Sequence, residues 1–214
     1  MLAVMAPTLP ASAVTALARE QMNAAVDVLA DAFADYPVMR YTLGEQHGRP
    51  GRLALLIGLF VVRRFLRGDP VLGSSDANAR LIGVATLTRP GDHSTASEIE
   101  QHRTRIWGEL GDGARARYEA YVAAANRHSP PAHDYHLNMI GVRAAMQGRG
   151  HARMLLDAVH ALADADPQAS GVSLNTELAA NLRFYERFGY RVLGHTPVGE
   201  GLETWPLFRA SCKS

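Results

Sequence analysis

The feature that most constrains this chain is a short glycine turn between two strongly patterned segments. Tyr135 to Val142 alternates and then ends apolar, as a strand does. After four intervening residues comes Gln147-Gly148-Arg149-Gly150-His151-Ala152. Beyond it, Ala152, Leu155, Leu156, Val159, Leu162 and Ala163 fall on one helical face, which Asp166-Pro167 closes. A strand–turn–helix of this kind leaves backbone N–H groups unpaired at the helix start, with the positive end of the helix dipole behind them. Gly148 and Gly150 permit close approach and positive φ, Gln147 and Arg149 add donors, and the implied guest is a phosphate or pyrophosphate. Glycines also close such turns for steric reasons alone, and two common phosphate loops are absent: no third glycine completes a dinucleotide fingerprint and no Gly-Lys-Ser/Thr follows.

The rest of the chain supplies a mixed α/β tally. Val14 to Leu17 reads as a strand, and Arg19 to Phe33 as a helix interrupted by Pro37. Arg52 to Arg67 has helical length and is apolar almost all round, so it is expected to be buried on more than one side or to offer a dimer surface. Val71-Leu72 and Leu81 to Leu87, separated by Gly73 to Asn78, predict a β-hairpin. From Ser94 to Arg127 a charged helical hairpin is expected, broken at Gly111-Asp112-Gly113. Val172-Ser173-Leu174 is a further strand, Leu178 to Phe188 a helix ended by Gly189, and Tyr190 to Leu193 and Leu202 to Phe208 two last strands.

The 214 residues predict a single domain, and 22 basic against 21 acidic side chains (formal charge +1) give no field that draws nucleic acid or membrane. The most apolar stretch, Leu53 to Phe65, is interrupted by Arg63 and Arg64 and falls short of the roughly 20 residues that cross a bilayer. Small-residue triplets such as Ala11-Ser12-Ala13 lack a basic segment before them, which argues against a secretory leader. The single cysteine, Cys212, excludes an intramolecular disulfide framework and a multi-cysteine zinc site, so a cytoplasmic location is expected.

Two blocks together resemble the GNAT N-acetyltransferase superfamily. Gln147-Gly148-Arg149-Gly150-His151-Ala152 matches that family's Gln/Arg-x-x-Gly-x-Gly/Ala loop, led in by Val142-Arg143-Ala144-Ala145-Met146. Asn181-Leu182-Arg183-Phe184-Tyr185-Glu186-Arg187-Phe188-Gly189-Tyr190 is similar to its Asn-x-x-x-x-Tyr-x-x-x-Gly-Phe/Tyr block. The likeness spans about residues 136–195, while Ala32 to Pro37 and Trp205 to Arg209 look like a bacterial and fungal branch. It implies a splayed, mostly antiparallel sheet flanked by helices, with the hairpin at about 94–128 inserted before the cofactor-binding strand. It also implies acetyl-CoA as co-substrate, in the wedge between the strand ending near Val142 and the strand at Val172 to Leu174. The residues so implicated are Ile140, Gly141 and Val142 for the pantetheine arm, Gln147 to Ala152 for the pyrophosphate, and Asn175, Asn181 and Tyr185 further along.

The resemblance thereby implies an N-acetyltransferase that joins acetyl-CoA and a primary amine, of a small molecule or a peptide, in a ternary complex. An alkylammonium, with a pKa near 10.4, must lose a proton before it attacks, and a departing thiolate leaves more easily beside a proton donor. Tyr185 is the candidate acid. The base is left open among His136, Glu98, Glu100, Glu177 and water, because Leu174-Asn175-Thr176 carries an amide where many relatives carry a glutamate. That asparagine keeps a second reading, a non-catalytic acyl-CoA-binding module, in play. His133 and His136 do not make a metal site without further ligands, and none is expected. Tyr36, Trp107, Tyr118 and Tyr121 are candidates to line the acceptor pocket.

Overall fold

The structure, a computed structural model, describes residues 14–91 and 96–212. The Ala11-Ser12-Ala13 triplet and the first two residues of the expected insertion, 94 and 95, lie outside them. The order is β1 (Val14–Ala16), α1 (Met22–Ala32), α2 (Pro37–Leu43), α3 (Arg52–Arg67), β2 (Val71–Ser75), β3 (Leu81–Thr88), α4 (Ser97–Leu110) and α5 (Asp112–Ala125). There follow β4 (Asp134–Val142), α6 (His151–Asp164), β5 (Gly171–Thr176), α7 (Leu182–Glu186), β6 (Arg191–Val192), β7 (Thr196–Gly199) and β8 (Leu202–Ala210).

One sheet runs β1-β2-β3-β4-β5-β8-β6, with β7 paired to β8, and β4–β5 is its parallel contact; the other pairings are antiparallel. Helix α6 covers one face, where Leu155, Leu156 and Val159 are fully buried against Leu87, Leu137, Val172 and Leu174. Each such side chain contributes roughly 1.5–3 kcal/mol by transfer, an upper figure because the unfolded chain already hides some surface. On the other face α1, α2, α3 and the α4–α5 hairpin enclose a second core around Leu29, Leu43, Leu56, Ile57, Ile106 and Leu110. Most of the apolar surface of α3 is covered there by α1 and α4, within the chain.

Strand β4 belongs to both cores, and a bulge explains how. Thr86 pairs with Met139 but the next residue, Leu87, pairs with Leu137, so Asn138 has no backbone pairing partner on β3, though its side chain accepts from Thr88 Oγ1 at 3.0 Å. The extra residue reverses the alternation. Tyr135 and Leu137 face α6, whereas Met139 joins the α1–α3 core. Gly141 then turns toward α1 so closely that an added Cβ would lie 2.7 Å from the Ala32 Cβ. Its lack of a side chain is a packing requirement.

Three local expectations differ from what forms. Gly73, Ser74 and Ser75 belong to β2 rather than to the turn, because Gly73 pairs on both sides, with Thr15 and Val84. The break in the helical hairpin is Gly111 alone, and Asp112 already opens α5. Leu178 to Phe188 is not one helix: a 3-10 turn, Ala179–Asn181, precedes the five residues of α7. The Asn181 side chain donates to Thr176 Oγ1 at 3.1 Å, which ties that turn back to the end of β5.

Candidate active site

Parallel pairing of β4 with β5 stops at Leu137 opposite Leu174. Beyond that point β5 follows β8, with Asn175 opposite Pro206 and Thr176 opposite Trp205, while β4 stays with β3. The strands splay, and the edge of β4 from Asn138 to Val142 is left unpaired toward β5. An extended polar chain fits such an edge as an added strand would.

The wedge leads to the turn before α6. Its base is braced: Arg143 N donates to Ile82 O, Ala144 N to Asp31 Oδ2 at 2.8 Å, and Gln147 Nε2 to Val142 O at 3.2 Å. The Gln147 amide thus holds the loop, and occupies the Val142 carbonyl. From Gly148 through Arg153 the backbone N–H groups find no acceptor among the described residues; the next, Met154 N, bonds Gly150 O. Gly148 and Gly150 sit at φ +75° and +87°, with open space where a Cβ would project. Arg149 is exposed, and His151 is buried with Nδ1 unpartnered. Six free amides at a helix start, with the helix dipole behind them, fit a diphosphate.

Where the strands part, a cavity of about 240 Å³ opens, walled by Phe33, Tyr36, Phe60, Tyr118, Tyr121, His136, Asn138, Glu177 and Tyr185. Tyr185, the candidate acid, is 8% exposed and lines this cavity, and its hydroxyl makes no hydrogen bond with a described residue. Burial, reinforced by the Glu177 charge, pushes its pKa up, so the phenol keeps its proton. Glu177 lies just past β5 and is equally buried. Its Oε1 accepts from Tyr121 Oη at 2.9 Å and Thr204 Oγ1 at 3.0 Å, and its N–H donates to Tyr36 Oη at 3.2 Å. Burial raises the carboxyl above the ordinary glutamate range, and the hydroxyl donors only partly offset it.

The other expected residues are distributed unevenly. Asn175 lines the cavity and donates to Thr204 Oγ1 at 3.4 Å. His136 also faces it, with Nδ1 2.8 Å from Ser173 Oγ, whose hydroxyl donates to Asp134; burial lowers the His136 pKa and keeps the ring neutral. Ile140 and Asn181 line the wall as well. Glu98 and Glu100 do not; Glu98 pairs with Arg19 at 3.1 Å and Glu100 with Arg103 at 2.7 Å. Trp107 backs Tyr118, at 5.4 Å between ring centroids. His133 is exposed in the loop before β4. Thr204, Thr176 and Asn138 were outside the sequence-based set, and no local pattern marks them: each reaches the site through strand pairing or a bulge.

Residues 92–207 match the family model described as the acetyltransferase (GNAT) domain. Solved structures carry the same fold. The chain is 20% identical to a histone acetyltransferase HPA2-related acetyltransferase from Corynebacterium glutamicum, with 94% of this chain and 97% of that one covered at a TM-score of 0.68. It is 14% identical to arylalkylamine N-acetyltransferase 2 from Aedes aegypti, covering 92% and 96% at 0.67. Against GphF, a GNAT-like decarboxylase in complex with isobutyryl-CoA, it is 12% identical, covering 92% and 98% at 0.58.

Proposed function

The chain belongs to the GNAT acetyltransferase family, and from that premise we propose that it is an N-acyltransferase that moves an acetyl group from acetyl-CoA to a primary amine. The observation that carries the proposal is the joining of two sites by one wedge: free amides from Gly148 to Arg153 at its outer end, and Tyr185 with Glu177 at its inner end.

The amides of Gly148 to Arg153 and the Arg149 guanidinium would hold the diphosphate, and the free edge of β4 at Asn138 to Val142 the pantetheine arm. Bound there, acetyl-CoA supplies an acyl thioester, an electrophile with its own leaving group. Glu177 takes the proton of the incoming ammonium at its carboxylate; its raised pKa brings it nearer to neutral working pH than an exposed glutamate would be. Tyr185 Oη, kept protonated by burial, is the donor available to a departing thiolate. Tyr121 and Thr204 fix the carboxylate, and Tyr36 holds the Glu177 backbone N–H. The likeness to an arylalkylamine N-acetyltransferase supports an amine acceptor, and the likeness to a GNAT-like decarboxylase in complex with isobutyryl-CoA supports an acyl-CoA in the wedge.

CoA release from acetyl-CoA, measured across polyamines, aminoglycosides, amino acids, arylalkylamines and peptide N-termini, tests the assignment. Release that requires an added primary amine is expected. Tight acetyl-CoA binding without turnover on any of them would instead support the binding module that Asn175 keeps in play.

A further inference from the structure

The acceptor side of the cavity does not end at the aromatic wall. Phe60, Arg63 and Tyr118 also line a second cavity of about 250 Å³, which lies between α3, α4 and α5, is walled by Leu59, Ile99 and Trp107 and opens to solvent at Arg63, Arg103 and Glu119. The Tyr118 ring stands in the partition, 5.2 Å from Phe60 and 5.4 Å from Trp107 between centroids. Flat apolar surface therefore continues from the Glu177 end into the helical hairpin.

Charge is distributed unequally along this path. In the first cavity Glu177 is the one carboxylate among the described lining residues. Arg64 lines it too, but its guanidinium is 3.1 Å from Asp69, which also binds Arg67 at 3.0 Å, and all three side chains are buried. In the second cavity Glu100 is held by Arg103 at 2.7 Å and Glu119 by Arg115 at 2.8 Å. Arg63, exposed and shared by both cavities, forms no ion pair with any described residue. Among the described residues it is the uncompensated cation of the path.

We propose that the two cavities form one acceptor channel, and that the acceptor is an elongated primary amine with a flat apolar middle and an anionic far end met by Arg63. The proposal rests on acyl transfer at Glu177 and Tyr185, and adds which amine is taken. A guanidinium recognises carboxylate and phosphate alike, through charge-assisted and often bidentate hydrogen bonds. A diamine or polyamine would place a second cation against Arg63 and is disfavoured.

Steady-state kinetics on matched amines test this: 2-phenylethylamine, 4-(2-aminoethyl)benzoate, tyramine phosphate, and the para-trimethylammonium analogue. Wild-type kcat/KM should favour an anionic amine over the neutral one by at least about tenfold, and the benzoate and phosphate arms show which anion fits. In Arg63→Gln that ratio should collapse toward one, and in Arg63→Glu the cationic analogue should overtake the anionic ones. Calorimetric binding of 4-(2-aminoethyl)benzoate to the CoA-saturated wild type and Arg63→Gln proteins should show the same loss. A wild-type ratio near one, or a ratio that survives Arg63→Gln, overturns the channel assignment while leaving acyl transfer standing. CoA release with no amine at all would overturn both.

Discussion

Tyr185 and Glu177 share one cavity and one physical influence, burial, with opposite consequences. Desolvation disfavours the charged form of each, so the phenol becomes a firmer keeper of its proton and the carboxylate a more willing acceptor of one. On the proposed assignment, Tyr185→Phe lowers kcat by about 10²-fold, within the span of general-acid contributions, and leaves acetyl-CoA affinity within about threefold. Glu177→Gln keeps an oxygen for Tyr121 and Thr204 but cannot take a proton. Because the carboxylate is the working form, the wild-type rate should fall as pH drops through the raised Glu177 pKa. In Glu177→Gln that acid limb should vanish along with about 10²-fold of kcat/KM. A pH–rate profile of the two proteins decides the matter; an unchanged acid limb would remove Glu177 as the base.

At the scale of elements, β8 is what delivers Thr204 to the carboxylate, and its far end is tied to α6 by a bidentate pair. Arg209 Nη1 and Nη2 reach Asp164 Oδ1 and Oδ2, both at 3.0 Å, and Cys212 N adds a third donor at 2.9 Å. These hydrogen bonds, Arg209 foremost, hold the Asp164 carboxyl below its ordinary range. Folding therefore favours the ionised form, so the stabilisation is present above the unfolded-state pKa and is lost as pH falls through the folded one. Asp164→Asn should lower unfolding stability at neutral pH by about 1.5–3 kcal/mol, and the gap from wild type in urea midpoints should close in strong acid. An equal gap at both pH values would contradict the pairing. The same scale shows what the sequence could disclose. Strand β4, the glycine turn and α6 were legible because their periods and turn chemistry are local. Strand β7, with Pro197 inside it, and the bulge at Asn138 were not, because each is set by what its neighbours pair with. Tyr121 and Tyr36 could be named as pocket aromatics, but nothing in their spacing announced Glu177, 56 and 141 residues away, as their common partner.

Across the whole molecule, two cores lie back to back on one sheet, and the wedge where β4 parts from β5 is where the free amides and the aromatic cavity meet. The α6 core fixes the turn of free amides, the α1–α5 core fixes the aromatic wall, and β4 passes between them by way of its bulge. On the proposed assignment, loss of either core would separate the diphosphate site from the proton donor. A ligand spanning the wedge stabilises the folded chain by mass action, by about 2.7 kcal/mol at a hundredfold excess over its Kd. Hydrogen exchange read amide by amide, with and without CoA, tests the central claim most directly. Slowed exchange at Gly148 to Arg153 and along Asn138 to Val142 is the predicted result; full-speed exchange there, with CoA bound according to calorimetry, would contradict it.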